Sequence, residues 1–369
     1  MKTLQIASVS DIHLGHRRNE TREIIANLRR AFPDSPATAK LDLLVLVGDV
    51  YDGLLSLPDE EVQEIDFWIE YVLRMCKKHD IVLRVLEGTP SHDWKQSQRF
   101  VTINEITGIG ADLKYVKDLS IEYIEKLDIS VLYVPDEWDT TTERTYAQVQ
   151  ELLKAKGLAQ VDFAFMHGQF EFQLPEHVKA QKHNSTLYLE IVKYLVFIGH
   201  VHTHSRYERI IAQGSFDRLS HGEEGPKGHV RATVRPNGEA DVVFVENQHA
   251  KLFLTVDCTD LTLEQTLVKI EQFVQGLPDG SNVRVQAGPD NPVFTNMELL
   301  IRSHPMLTWS KKVDEVKQDL PELVEVETVY VPITLSKDNL EGLLLERLAN
   351  NNADALTLQA AKSILVDAL

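Results

Sequence analysis

Apolar residues along the chain follow two rhythms. Short runs at Leu4 to Val9, Leu41 to Val47, Ile81 to Leu86, Val161 to Met166 and Tyr194 to Ile198 read as strands buried on both faces. Other stretches have helical spacing. Thr21 to Phe32 places Ile24, Ile25, Leu28 and Phe32 on one face, and Asp59 to Lys78 places Val62, Ile65, Ile69, Val72, Leu73 and Cys76 on another. Acids open the second helix and lysines close it, in accord with the helix dipole. Trp94 to Ile106 carries a thinner stripe, predicting a surface helix, and Thr140 to Lys156 predicts a further helix ended by Gly157. Leu119 to Val134 reads as strands. Alternating strands and helices predict an α/β domain, whose ligands belong at the C-terminal ends of the strands.

Beyond Thr203 the rhythm changes to closely spaced strands and turns: Arg209 to Ala212, Gly228 to Val234, Ala240 to Val245 and Lys251 to Val256. The turn Pro236-Asn237-Gly238 predicts antiparallel hairpins that complete a second sheet. A new unit is expected near Asp257, with an amphipathic helix through Leu261, Leu263, Leu267, Ile270 and Phe273, then a strand over Asn282 to Gln286. The tail from Ser336 reads as two short helices separated by Asn350-Asn351-Asn352. The expected organisation is a domain over 1–256, a smaller α+β cap over 257–335 and a helical segment over 336–369.

Composition adjusts this picture only at the margins. With 369 residues, 43% hydrophobic and 25% charged, the chain is long enough for one large domain with appendages. No apolar run approaches the roughly 18 residues that span a bilayer. The opening Met1-Lys2-Thr3 enters a strand too quickly for a secretory signal, so a cytoplasmic protein is expected. Cys76 and Cys258 lack the paired spacing of a thiolate metal site and read as reduced fillers. Lys and Arg number 38 against 56 Asp and Glu, a net charge of −18, which speaks against indiscriminate binding of polyanions. A nucleic-acid substrate would need bound cations and a local basic patch. The candidates are His16, Arg17 and Arg18 behind the first strand, Lys95 and Arg99, and Lys311 with Lys312.

The candidate chemistry sits at the strand exits. In order, the chain offers Asp11-Ile12-His13, Gly48-Asp49-Val50-Tyr51-Asp52, Ser91-His92-Asp93, His167-Gly168 and Gly199-His200-Val201-His202. Two divalent cations about 3.5 to 4 Å apart neutralise a phosphate ester and activate a water, and they need carboxylate and imidazole ligands. Residues two apart in an extended stretch project to one side, so Asp-x-His and His-x-His each aim both groups at one point. Glycines at the exits allow close approach of backbone and metal.

In this order the motifs resemble the calcineurin-like metallophosphoesterase superfamily. Within it, Asp11-Ile12-His13-Leu14-Gly15 together with Gly214-Ser215, Gly222-Glu223-Glu224 and Lys227-Gly228 resemble the SbcD family of DNA-repair nucleases, from Leu4 to about Leu254. The resemblance implies a β-sandwich of two mixed sheets flanked by helices. It assigns Asp11, His13 and His202 to one metal, His167 and His200 to the other, and Asp49 to the bridge. His92 takes the place of the catalytic histidine, with Asp93 to orient it, and Asp52 reads as an outer-shell acid. His204 reads as a surface residue. The family's Gly-Asn-His-Asp loop is replaced by Gly88-Thr89-Pro90-Ser91-His92-Asp93. Ser91 falls in the place of the asparagine ligand, so a more weakly bound second metal is expected. The ligand types suit Mn2+, with Mg2+ as the alternative.

The activity implied is a metal-dependent DNA nuclease. A phosphomonoesterase or cyclic-nucleotide phosphodiesterase, and a non-catalytic scaffold, are the competing readings. The resemblance also implies a homodimer formed through the helices at Asp59 to Lys78 and Trp94 to Ile106. The C-terminal helices would either dock on an SbcC-like coiled-coil ATPase or pack on their own cap.

Overall fold

The structure, a computed structural model, describes residues 2–56, 60–175 and 177–314. The helical segment expected over 336–369 and the end of the cap lie outside the described residues. Two six-stranded sheets and one three-stranded sheet form the framework. Strands β1 (Leu4–Val9), β2 (Leu43–Val47), β3 (Val82–Leu86) and β4 (Leu113–Val116) run parallel in the first sheet. The second sheet is built from β5 (Ser120–Ile124), β6 (Ile129–Val134), β7 (Val161–Gly168), β8 (Val192–His200), β9 (Ser205–Tyr207) and β10 (Ile210–Ala212), in the order β5-β6-β7-β8-β10-β9.

The hairpin of β11 (Gly228–Val234) and β12 (Ala240–Glu246) corrects the sequence expectation. It completes the first sheet, because β11 pairs antiparallel with β1, Leu4 opposite Val234. β1 therefore lies inside its sheet, with β2 on one side and β11 on the other. The two sheets pack face to face over a layer that includes Ile6, Val45, Val47, Val82, Phe163, Phe165, Phe197 and Val230.

Helices α1 (Thr21–Ala31), α2 (Glu60–Lys78), the single turn α3 (Pro90–Asp93) and α4 (Gln98–Thr107) accompany the first sheet. Ile24, Leu28, Ile65, Ile69, Leu73 and Phe100 cover its outer face. The helix expected from Trp94 starts later. Trp94 and Lys95 have φ of 48° and 57°, left-handed values that no α-helix accommodates, so the chain restarts at Gln98. Helices α5 (Thr142–Ala155) and α6 (Ser185–Ile191) cover the second sheet through Val149, Leu153, Tyr188 and Ile191.

The small sheet holds β13 (Phe253–Asp257), β14 (Asn282–Ala287) and β15 (Thr308–Val313), all parallel, with α7 (Leu263–Val274) and α8 (Met297–Ser303) in the connections. β13 was expected in the larger unit. Its ladder with β14 makes it part of the small sheet. Among the described residues, no helix is long and apolar enough to cross a membrane.

Candidate metal centre

The exits of β1 and β2 run side by side and fix each other. Asp11 N–H donates to Gly48 O at 3.2 Å, Ile12 and His13 N–H to Asp49 O at 2.8 and 3.1 Å, and Leu14 N–H to Val50 O at 2.9 Å. Asp11, His13 and Asp49 have φ of 51°, 53° and 49°, and His200 has φ of 104°. Non-glycine residues rarely hold such values, and they persist where surrounding contacts enforce them. The convergence of Asp11 with His13 therefore comes from left-handed turns after the strand, not from the extended alternation inferred from the spacing. Glycine is required beside them. A Cβ at Gly48 would stand 2.1 Å from His167 Nδ1, and one at Gly88 would stand 2.1 Å from Asp49 N.

Six expected ligands meet in two groups. Asp11, His13 and His202 offer ligand atoms all within 4.8 Å of one another, and so do Asp49, His167 and His200. Asp49 Oδ2 lies 3.2 Å from His167 Nε2 and 3.9 Å from His13 Nε2, which places it between the groups. His13 Nε2 and His202 Nε2 face each other at 3.3 Å. Asp11 accepts the His200 N–H with both oxygens, at 3.0 and 3.1 Å, so it also anchors the exit of β8.

A second layer ties off the imidazoles. His13 Nδ1 meets Asp52 Oδ1 at 3.1 Å. His167 Nδ1 donates to Val47 O at 2.7 Å, and His202 Nδ1 meets Glu223 Oε1 at 3.2 Å. Such contacts fix the tautomer and turn Nε2 inward. Glu223 is held in turn by Lys227, whose Nζ lies 2.9 Å from Oε2 and donates to His202 O and Ser215 Oγ, both at 2.8 Å. The motif through Gly222-Glu223-Glu224 and Lys227 thus supports His202.

The chemistry of this donor set fits divalent cations. His167 Nε2 is buried and, despite its approach to Asp49, has no hydrogen-bond partner. Among the described residues, the ion-pair partners of Asp11 and Asp49 are all histidines. Burial opposes ionisation of Asp49, yet His167 and His13 hold its carboxyl well below the ordinary range. Burial likewise opposes protonation of His167, and the neighbouring Asp49 and Asp11 overcome it and raise its pKa well above normal. Without a cation, a protonated imidazole balances the buried carboxylates.

The loop after β3 departs from expectation. Ser91 is exposed on α3, and its carbonyl accepts the Trp94 indole N–H at 2.8 Å. Thr89 occupies the place expected of Ser91. Its N–H donates to Asp49 Oδ1 at 2.6 Å, and its Oγ lies 3.2 Å from Asp49 Oδ2 and 3.4 Å from His200 Nδ1. The signal was the position directly after Gly88. His92 reaches the site, with Nδ1 3.2 Å from His13 Nδ1, and could form a further donor group with His13 and Asp52. Asp93 does not orient it. The fully buried Asp93 carboxylate accepts N–H groups from Gly88, Asp49 and Tyr51 at 2.7, 3.1 and 3.0 Å, joining the exits of β2 and β3. Burial, reinforced by Asp49 and Glu87, pushes its carboxyl up to about 8.

Sequence reasoning missed Asp136, which follows β6 and whose Oδ2 lies 3.3 Å from His200 Nδ1. It had the same signal as the others, an acid just past a buried strand. Asp136 and His200 also border a cavity of about 240 Å³ lined by Trp138, Gln169, Gln181 and His183. A larger cleft of about 500 Å³, between α1 and the turn at Pro278 to Ser281, contains none of the candidate ligands.

The basic patch is only partly available. Arg17, Arg18 and Lys95 are exposed, and His16 is half-buried. Arg99 instead grips Asp66 through Nε and Nη2 at 2.8 and 2.5 Å, joining α4 to α2. Lys311 and Lys312 lie exposed on β15. His204 packs away from the centre, stacked on Phe244 at 4.3 Å.

No family model and no curated protein matches the chain. Among the solved structures that align with the chain, one covers 66% of it and 100% of its own length at 13% identity, with a TM-score of 0.39. At that level the likeness bears on neither fold nor function.

Proposed function

We propose that the protein is a metal-dependent phosphodiesterase that cleaves DNA, with Mn2+ as the preferred ion and Mg2+ as the alternative. One observation carries the reading. Asp11, His13, Asp49, His167, His200 and His202, read from the sequence as ligands, converge in two donor groups. When bound, the two cations would neutralise the phosphodiester and activate a water.

The chain's own residues account for the rest. Asp49 stands between the donor groups, where a bridging carboxylate belongs. His92 is half-exposed beside them, positioned to give a proton to the leaving oxygen. Exposed Arg17, Arg18 and Lys95 offer phosphate contacts that counter the acidic surface. A homodimer through α2 and α4 is part of the proposal, supported by Phe67 and Ile106, which are 65% and 77% exposed. Docking of an SbcC-like ATPase rests on residues 336–369, outside the described residues.

The test is turnover of linear DNA with and without Mn2+, beside small phosphate monoesters and cyclic nucleotides. Manganese-dependent DNA cleavage that chelation abolishes is the expected result. Hydrolysis of the small esters with DNA left intact would replace the reading with a phosphomonoesterase or cyclic-nucleotide phosphodiesterase.

A further inference from the structure

We propose that Asp136 is a ligand of the second metal position, supplying an anionic oxygen where the resembled family has a neutral amide. The assignment rests on the two-metal reading above and changes the character of one of its sites. Thr89 directly follows Gly88, and its hydroxyl is too short to replace an asparagine side chain alone. Asp136 approaches Thr89 and His200 from the exit of β6.

Its orientation is fixed. Asp136 Oδ1 accepts the Glu137 N–H at 2.9 Å, which leaves Oδ2 facing His200 and Thr89. Oδ2 lies 3.3 Å from His200 Nδ1 and 3.1 Å from Thr89 Oγ. Thr89 Oγ lies 3.2 Å from Asp49 Oδ2, which in turn lies 3.2 Å from His167 Nε2. Donors at right angles around a cation, each ~2.1 Å from it, stand about 3 Å apart. Asp136 Oδ2 keeps such separations from His200 and Thr89 but does not join Asp49, His167 and His200 in one group within 4.8 Å, so binding would draw its side chain inward.

Hydrogen bonding alone leaves this cluster incomplete. Thr89 Oγ has one proton to offer and faces Asp49 Oδ2, Asp136 Oδ2 and His200 Nδ1. His167 Nε2 beside them is buried, and its 3.2 Å ion pair with Asp49 falls short of hydrogen-bond geometry. The Asp136 side chain is only 12% exposed, and its ion-pair partner among the described residues is His200. A divalent cation would satisfy all of these groups together. With Asp49 and Asp136 both anionic, the second position holds its ion at least as firmly as the first, the reverse of what Ser91 implied.

Calorimetric titration of the full chain with Mn2+ alone tests this, with manganese spin resonance to count bound ions. Wild type takes up two ions. Asp136→Asn keeps an acceptor for an imidazole N–H but loses the charge. It leaves one ion unchanged and weakens the other about tenfold or more. The double change Thr89→Asn with Asp136→Ala restores an amide and recovers much of that loss. An Asp136 that only orients His200 would weaken the same ion when changed, so the deciding readout is a crystal structure of the Mn2+-loaded protein: an Asp136 carboxylate within about 2.3 Å of an ion is expected, and one more than about 3 Å from both overturns the proposal. A wild type that binds fewer than two ions overturns the two-metal reading, and this assignment with it. Circular dichroism of each variant verifies folding before titration.

Discussion

Glu223 Oε1 lies 3.2 Å from His202 Nδ1, while the other oxygen of the same carboxylate lies 2.9 Å from Lys227 Nζ. Burial opposes ionisation of Glu223, yet its hydrogen bonds to His202 and Lys227 hold it at about 2, below its ordinary 4.5. A carboxylate lowered in the folded state stabilises the fold above its unfolded pKa, and the gain is lost as pH falls through the folded value. Burial also opposes protonation of His202, but Glu223 and Asp11 raise it above 6.5, so its contribution is present below 6.5 and fades as pH rises through the folded value. The metal-free protein is therefore expected to melt at lower temperature on the acid side, between about 4.5 and 2. Glu223→Gln should flatten that limb in thermal melts, and an unchanged limb would remove the pair from the account.

The buried His167 gives a second expectation. Its raised pKa leaves it protonated when no cation is bound, and a ligand imidazole must be neutral, so binding of Mn2+ should expel a proton. Affinity should then rise with pH. Titration calorimetry near neutral pH, in buffers of different ionisation enthalpy, measures the protons released. Buffer-independent heats would contradict the expectation.

His92 lies beside His13 without belonging to either of the two ligand groups assigned to the metals. His92→Ala should lower DNA turnover by roughly 10²- to 10⁴-fold, the usual worth of a general acid, while two Mn2+ ions still bind. Loss of an ion in this variant would make His92 a ligand instead.

Asp93 carries a structural load. Asp93→Ala strands the N–H groups of Gly88, Asp49 and Tyr51, at about 1 to 3 kcal/mol for each buried donor left unpaired. The expected loss is about 3 kcal/mol or more in denaturant unfolding, with Asp93→Asn intermediate. A loss below about 1 kcal/mol would mean that water replaces the carboxylate.

Exposed Phe67 and Ile106 make the dimer testable. Sedimentation should show a dimer for wild type and a monomer for Phe67→Glu with Ile106→Glu, with melting temperature little changed. A monomeric wild type would end that part of the proposal.

Much of the framework was legible because burial on both faces writes continuous apolar runs, as in β2, β3 and β7. The residues that converge in the two donor groups were legible because each stands just past such a run. What the sequence did not disclose depends on distance along the chain. The periodicity of β11 is plain, but nothing local says that Gly228–Val234 pairs with β1 rather than with the second sheet. Thr89 and Ser91 are both small hydroxyl residues in one loop. Only the turn of α3, which leaves Ser91 exposed and Thr89 against Asp49, separates them. Asp136 also follows a buried strand, but Pro135-Asp136-Glu137 lacks the histidine or glycine neighbour that marked the other exits, and it stands out only once His200 is brought beside it.

The pairing of Leu4 with Val234 also bears on how the chain is made. β1 precedes β11 by more than 200 residues, so one of its edges stays open until β11 emerges from the ribosome. Contacts so distant in sequence slow folding and expose unpaired backbone during it. The loop of Asp11 closes equally late, since Phe216 N–H donates to Asp11 O and Ser10 bridges to Ser215. A nascent chain shorter than this is therefore a strand-seeking intermediate, and the candidate centre is complete only after most of the described chain has been translated.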